Sequence, residues 1–516
     1  MIWPLGLGAL IAVALVFRLA YVERLGDFIG ADEAVGGLMA LKIARGEEFP
    51  LLLWEAHYAG TLTSYLGALL FWFFDPTPGI LRVAVLPLAL AGIAATAAAA
   101  RTLWGSGAGL VAGLSLALGP ALLFAMSSQA VGGYPEVLCF GGLTLWIGAR
   151  LGRRPRGEAP RSREWALLGA AGGFGTYSLA FVLPVFVGTL WALGRHRGGL
   201  RAREWSRIAA GFLLGFSPFV VYNVAHGGAS VLRLAGRVLD ISRGELSHAS
   251  SVPGLLLDKG TRYLLGLFRF PGTVWENLPI FFGLPAWGTW AAAVALAGVV
   301  LFVGVRRSAR AYAAGPQPLA AGLSGGVILG WSGLATLLFL WLSRLDSPRH
   351  LFPFYLLGSL GLGALWARLA GGWRLLGGGV LALLLFGNMV GTTADARGAG
   401  PRVAGLVDPL LSRGIMFVYT DYFIAYPLVF LSREVILASP AAGPVNVERY
   451  PAYTEGVAAS ARPAYVFRRN TEAAAVFVRE MRRTGDAFSH VPLDEFDLYI
   501  PDRHVRPNEL ALVRQF

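Results

Sequence analysis

Apolar stretches follow one another along most of this chain, near residues 2–20, 59–74, 79–100, 107–125, 133–150, 164–194, 205–225, 283–305, 319–342, 348–369 and 374–392. Several exceed ~18 residues, the length a helix needs to cross the hydrocarbon core of a bilayer. The 516 residues are 55% hydrophobic and only 15% charged, against about 25% charged in soluble domains. A soluble protein of that composition would expose too much apolar surface. The expected fold is a polytopic α-helical membrane protein of about 11–13 spans over 1–392, with a small C-terminal extracytoplasmic α/β domain over 393–516.

Two stretches do not read as simple spans. Segment 164–194 is long for one helix, and Gly172, Gly173, Gly175 and Pro184 point to two short helices in a hairpin. Segment 59–74 conflicts with charge parity unless 59–100 makes a single net crossing, which makes 59–74 re-entrant or interfacial. The first run lacks a basic leader and a small-residue cleavage site, and reads as a retained span.

The formal charge is +13 and almost all of it is arginine, with Lys42 and Lys259 the two lysines. The cations cluster between spans, so no nucleic-acid partner is inferred; the partner is the lipid bilayer. Residues 150–163, 195–207, 306–310 and the Arg368/Arg374 turn are basic and read as cytoplasmic. The first outer loop, 21–58, holds seven acids against Arg24, Lys42 and Arg45. It reads as extracytoplasmic, as do 126–133, the long loop 226–282 and the tail after 393. A multi-pass protein of a bacterial inner membrane is the expected location. Cys139 is the single cysteine, which excludes an intramolecular disulfide.

The tail alternates short β-branched or aromatic runs with helical ones. The pattern predicts a helix near 403–412, strands at "IMFVYT" and "EVILAS" around the helix "DYFIAYPLVFL", then "AYVF", a helix near 472–483 and strands near 487–491 and 496–500.

Candidate site residues gather in the outer loops. Asp32 and Glu33 stand as an adjacent pair among Gly30, Ala31, Ala34, Gly36 and Gly37. They precede "AVGGLMALKIARG", which reads as an interfacial amphipathic helix. A carboxylate in a partly desolvated cleft can serve as general base; the competing reading is a solvated acidic loop. His57 and Tyr58 open an apolar segment; the imidazole suits a phosphate or a metal, and the competing reading is an interfacial anchor in the headgroup layer. Gln129, Tyr134 and Glu136 lie in "SSQAVGGYPE", where polar groups at membrane depth are costly unless used. Arg349 and His350 begin another apolar helix, a position that favours an anionic partner. Tyr222, Asn223 and His226 end the 205–225 segment and give a weaker signal.

These features together resemble a GT-C membrane glycosyltransferase, similar to bacterial relatives of protein O-mannosyltransferase and of the lipid A aminoarabinose transferase. The resemblance rests on the order of "GADEA", "HYAGTLTSYLGALLFWFF", "RTLWGSGAGLVAGLSLALGP", "GGYPE" and "PRHLFPFY". It implies a GT-C-like catalytic domain over 1–392, a polyprenyl-phosphate-linked sugar donor, and an acceptor that is a glycan, lipid or protein. It implies Asp32 as the acid that acts as base or orients the acceptor. It also implies Arg349 on the lipid phosphate, and a divalent cation with Asp32 and Glu136 as ligands. His57 departs from the usual Lys, His350 from a common Tyr, and Glu136 from the usual Asp. Two other classes remain: a polyprenol-lipid flippase or transporter, and a non-catalytic sugar-lipid binding subunit. Neither inverted repeats nor mid-membrane charges favour the transporter.

Overall fold

A computed structural model describes residues 2–56, 58–154, 162–233, 352–369, 372–397, 402–442 and 448–510, with a few single positions between them. The long apolar runs form helices because lipid leaves backbone polar groups no partner outside the segment. They are α1 (Ile2–Leu25), α4 (Pro78–Trp104), α7 (Tyr134–Arg153), α10 (Ala202–Ala225), α11 (Phe352–Arg368) and α12 (Gly372–Arg397), with shorter pieces between them: α2 (Ala31–Ala44), α3 (Leu62–Phe71), α5 (Ser106–Ala117), α6 (Ala121–Ser128), α8 (Ser162–Ser178) and α9 (Val182–Arg197). Among the described residues, four helices are long and apolar enough to cross a membrane, and a bent pair makes a fifth candidate. The protein is a multi-pass membrane protein; much of the expected count falls outside the described residues, as does most of 226–282.

The ten residues of α3 reach only about 15 Å, too short to cross, in keeping with the re-entrant or interfacial reading of 59–74. Two other segments differ from their sequence reading. Segment 107–125 is not one straight helix: α5 and α6 meet at 79°, across Gly119 and Pro120, where proline offers no N–H to continue the helix. The carbonyls left open there are met by a buried cation. Arg18 of α1 donates to Ala117 O at 3.2 Å and to Ser127 Oγ at 3.2 Å, and Asn388 donates to Leu118 O. In 164–194 the break comes at 179–181, between α8 and α9, and not at the glycines. Those glycines pack helices instead. Gly169 and Gly173 of α8 face Gly211 and Gly215 of α10, backbone against backbone. A Cβ on Gly211 would overlap the Ala166 carbonyl oxygen, and one on Gly173 the Phe212 carbonyl oxygen. Small residues four apart on both helices permit that approach.

The helix ends sort by charge. Arg153 at the end of α7 donates to Thr102 O near the end of α4, Arg197 of α9 to Leu151 O, and Arg101 lies over the Trp3 ring of α1. This is the basic end. At the opposite end α4 begins near Arg82, α7 near Glu136, and Gly60 bonds the close of α8.

The tail forms a five-stranded sheet: β1 (Phe417–Asp421), β2 (Leu437–Ala442), β3 (Ala464–Arg468), β4 (Phe488–Leu493) and β5 (Phe496–Pro501), in the order β2-β1-β3-β5-β4. The first three are parallel, and β5 and β4 run antiparallel. Helices α13 (Ala404–Leu411), α14 (Tyr422–Leu431), α15 (Pro451–Ala459) and α16 (Glu472–Thr484) surround it. Asp421 caps α14 by accepting from Phe423 N and Ile424 N. Strand alternation divides the core. Tyr419, Tyr465, Phe467 and Tyr499 pack on Phe477 and Met481 of α16. Val418, Val466 and Leu498 belong instead to a cluster that runs through α14 into α2 and the membrane helices.

Candidate active site

The site end is built around α2. Gly30 precedes it, and both acids fall in its first turn, where the helix dipole favours negative charge. Nearly every residue of α2 is buried. The expected interfacial helix is therefore corrected: α14 covers the face that would have met lipid or water. Phe430 of α14 sits where a Cβ of Gly37 would lie, and the Ala130 carbonyl stands 3.1 Å from one on Gly36. Gly36 and Gly37 thus make room for protein.

The two adjacent carboxylates diverge. Glu33 is fully buried and bidentate with the fully buried Arg82, at 2.9 Å (Nε to Oε1) and 2.8 Å (Nη2 to Oε2). It also accepts from Ala130 N. Arg82 further donates to the carbonyls of Gly26 and Phe28. Glu33, one of the two acids put forward as catalytic, is fully buried against a cation in this fold. It fixes the 26–33 turn against α4.

Asp32 turns the other way, its side chain 34% exposed. The Tyr422 hydroxyl donates to its Oδ1 at 2.6 Å, and Arg449 Nη2 approaches at 3.4 Å. Both come from the C-terminal sheet domain. Arg449 also donates to the Tyr422 hydroxyl at 3.1 Å and to Trp54 O. Burial, then the charge of Asp32, raise the Tyr422 pKa, so its phenol stays a donor. Burial opposes the Arg449 charge, but Tyr422, Asp32 and the nearby Tyr58 outweigh it and raise its pKa. Neither Tyr422 nor Arg449 was singled out from sequence; each lies some 400 residues along the chain from Asp32, without a local motif.

A second set of contacts holds the domain to α2. Lys42 pairs with Glu47 at 3.0 Å and Glu434 at 3.2 Å. Arg45 also pairs with Glu434, and the Tyr453 hydroxyl donates to it at 2.7 Å. Tyr450 stacks on Trp54 at 4.3 Å and donates to Glu48.

The remaining candidates scatter. Tyr58 is 39% exposed beside the Asp32 cluster. Glu136 is fully buried and accepts from Thr63 N at 3.2 Å, capping α3; its Oε2 has no hydrogen-bond partner among the described residues. Tyr134 is buried against Phe352 and Phe181, and Gln129 donates to the Tyr21 hydroxyl. Tyr222, Asn223 and His226 close the end of α10: Asn223 accepts from Ser230 N and Val231 N, and His226 stacks on Tyr222. His57, Arg349 and His350 lie outside the described residues. No three His, Cys, Asp or Glu side chains converge as a metal site among the described residues. Asp32 carries a guanidinium and Glu136 is sealed by protein, so the described donors do not fit a divalent cation at that pair.

Neither a protein-family description nor a curated protein matches the sequence. Two solved structures match the fold over nearly the whole chain. ArnT from Cupriavidus metallidurans in the apo state has a TM-score of 0.56 at 16% identity, covering 96% of this chain and 97% of that one. The same protein bound to undecaprenyl phosphate has a TM-score of 0.58 at 15% identity, with the same coverage. The chain thus has the fold of ArnT, the GT-C fold.

Proposed function

We propose that this protein transfers a sugar from a polyprenyl-phosphate-linked donor to an extracytoplasmic acceptor, with Asp32 as general base. The observation that carries the reading is the half-open Asp32, held by Tyr422 and Arg449, on a fold whose solved relative binds undecaprenyl phosphate. In this reading, Asp32 takes the proton of an acceptor hydroxyl as its oxygen attacks the anomeric carbon. The bond from that carbon to the lipid phosphate breaks, the polyprenyl phosphate departs with the electron pair, and the configuration inverts. Arg349, which precedes the apolar run from Phe352 in the sequence, is the proposed cation for the leaving phosphate. Glu33 and Arg82 hold the turn that aims Asp32, and the acidic end faces outside by the positive-inside rule.

The test has two parts. Membrane lipids and envelope glycans are compared by mass spectrometry with and without the protein; a glycan or lipid should lose one sugar. Purified protein with an excess of lipid-linked donor should then release polyprenyl phosphate. Asp32→Asn should lower that release about 100-fold or more, with donor binding kept. Donor binding without release by the wild-type protein, in the presence of the acceptor so identified, would instead support a binding subunit.

A further inference from the structure

We propose that the groove between α1, α4 and α7 at the basic end is a binding site for an anionic phospholipid. Its phosphate is held by Arg101 and Arg153, and an acyl chain lies along α4. The floor is a run of small side chains, Ala91, Ala94, Ala95 and Ala98. Trp3 and Leu7 of α1 form one wall, Leu143 and Trp146 of α7 the other, enclosing about 610 Å³. That volume is in the range of small-molecule sites.

The groove is apolar along its length and cationic at one end only. Arg101 lies over the Trp3 ring at 4.7 Å, and Arg153 reaches across to Thr102 O at 2.5 Å, so both heads are fixed at the groove's mouth. Their neighbours are compensated: Arg150 and Arg154 share Glu164, at 2.9 and 2.8 Å. Among the described residues, neither Arg101 nor Arg153 has an acidic partner. An apolar channel ending in two uncompensated guanidiniums complements a lipid with an anionic head, and guanidinium matches phosphate oxygens well. A zwitterionic lipid would gain the apolar contact but add a like-charged amine beside the arginines. Basic interhelical pockets of this kind suit anionic headgroups. The site lies at the far end of α4 from Arg82 and does not depend on the transferase reading.

The test is native mass spectrometry of the full chain, released from nanodiscs containing equal phosphatidylglycerol and phosphatidylcholine. Wild type should retain phosphatidylglycerol in preference. Arg101→Gln and Arg153→Gln should each lower its retention about fivefold, and the double variant more than tenfold. Ala94→Phe fills the groove without changing charge and should lose the same preference. Arg203→Gln, at the same end but off the groove, should change nothing. Equal retention of the two lipids would overturn the proposal. So would an Arg203→Gln loss as large as that of Arg101→Gln, a lipid-free wild type, or retention of added undecaprenyl phosphate in place of phosphatidylglycerol. Because Arg101 and Arg153 are exposed, their variants carry the test even if Ala94→Phe fails to fold.

Discussion

Asp32 and Glu33 share one helical turn but belong to two regions. Glu33 faces the membrane bundle, where it is fully buried against Arg82. Asp32 faces the seam with the C-terminal sheet domain, where Tyr422 and Arg449 hold it and solvent reaches it. Residue type does not separate the two acids, and their neighbours in sequence are the same small residues. Partners brought from elsewhere in the chain decide that one is sealed in an ion pair and the other reaches solvent. The same contrast holds between whole interfaces. The α8–α10 contact is close glycine packing, whereas the α2–α14 contact is edged by ion pairs and aromatic rings.

The largest expected effect falls on the buried side. Glu33→Gln leaves the Arg82 charge buried with half its partner gone and should cost about 3–5 kcal/mol, read as a lower melting temperature in detergent. Glu33→Gln combined with Arg82→Met should recover part of that loss; no recovery would break the pairing argument. Next, Gly211→Leu drives a side chain into the Ala166 carbonyl of α8 and should cost about 1–3 kcal/mol. Gly194→Ala meets nothing within 4 Å and should be silent by the same measurement. On the open side, Arg449→Lys keeps a charge but loses the guanidinium that touches both Tyr422 and Asp32. Turnover should fall about tenfold, about 1.4 kcal/mol in barrier, with melting unchanged.

The smallest effect is on pH. Burial favours the neutral form of Glu434, but Tyr453, Lys42 and Arg45 outweigh it and lower its pKa. Its contribution to docking is therefore complete above the ordinary carboxylate range and fades as pH falls through the lowered value. Lys42 acts in the opposite sense. Burial opposes its charge, but Glu47 and Glu434 win and raise its pKa from 10.5 to about 12. Its contribution holds below 10.5 and is lost as pH rises through about 12. Melting followed across pH should show both limbs, and Glu434→Gln should flatten the acid one.

Local pattern carried much of the fold. The apolar runs became α1, α4, α10 and α12, and the tail's alternation became the sheet, although α15 was missed behind its Pro451 start. What failed needed distant partners. Gly173 looks like part of a helix break until the Phe212 backbone of α10 is set against it. Arg18 in the first span has no rationale until the α5–α6 bend presents its carbonyls. "AVGGLMALKIARG" reads as interfacial because nothing in it announces that α14, nearly 400 residues later, covers it. The adjacent acids stand out in the sequence, and the resemblance picks Asp32 of the two; their partners Arg82, Tyr422 and Arg449 were not legible, since they reach the pair only through the fold.

The most direct test measures turnover and folding together for Asp32→Asn and Glu33→Gln, with lipid-linked donor in excess and protein amounts matched. The account predicts a crossed result. Asp32→Asn melts like the wild type and loses turnover about 100-fold or more, while Glu33→Gln melts earlier and, in its folded fraction, turns over far more donor than Asp32→Asn. A stable Glu33→Gln without activity, beside an Asp32→Asn of near-normal turnover, would contradict it.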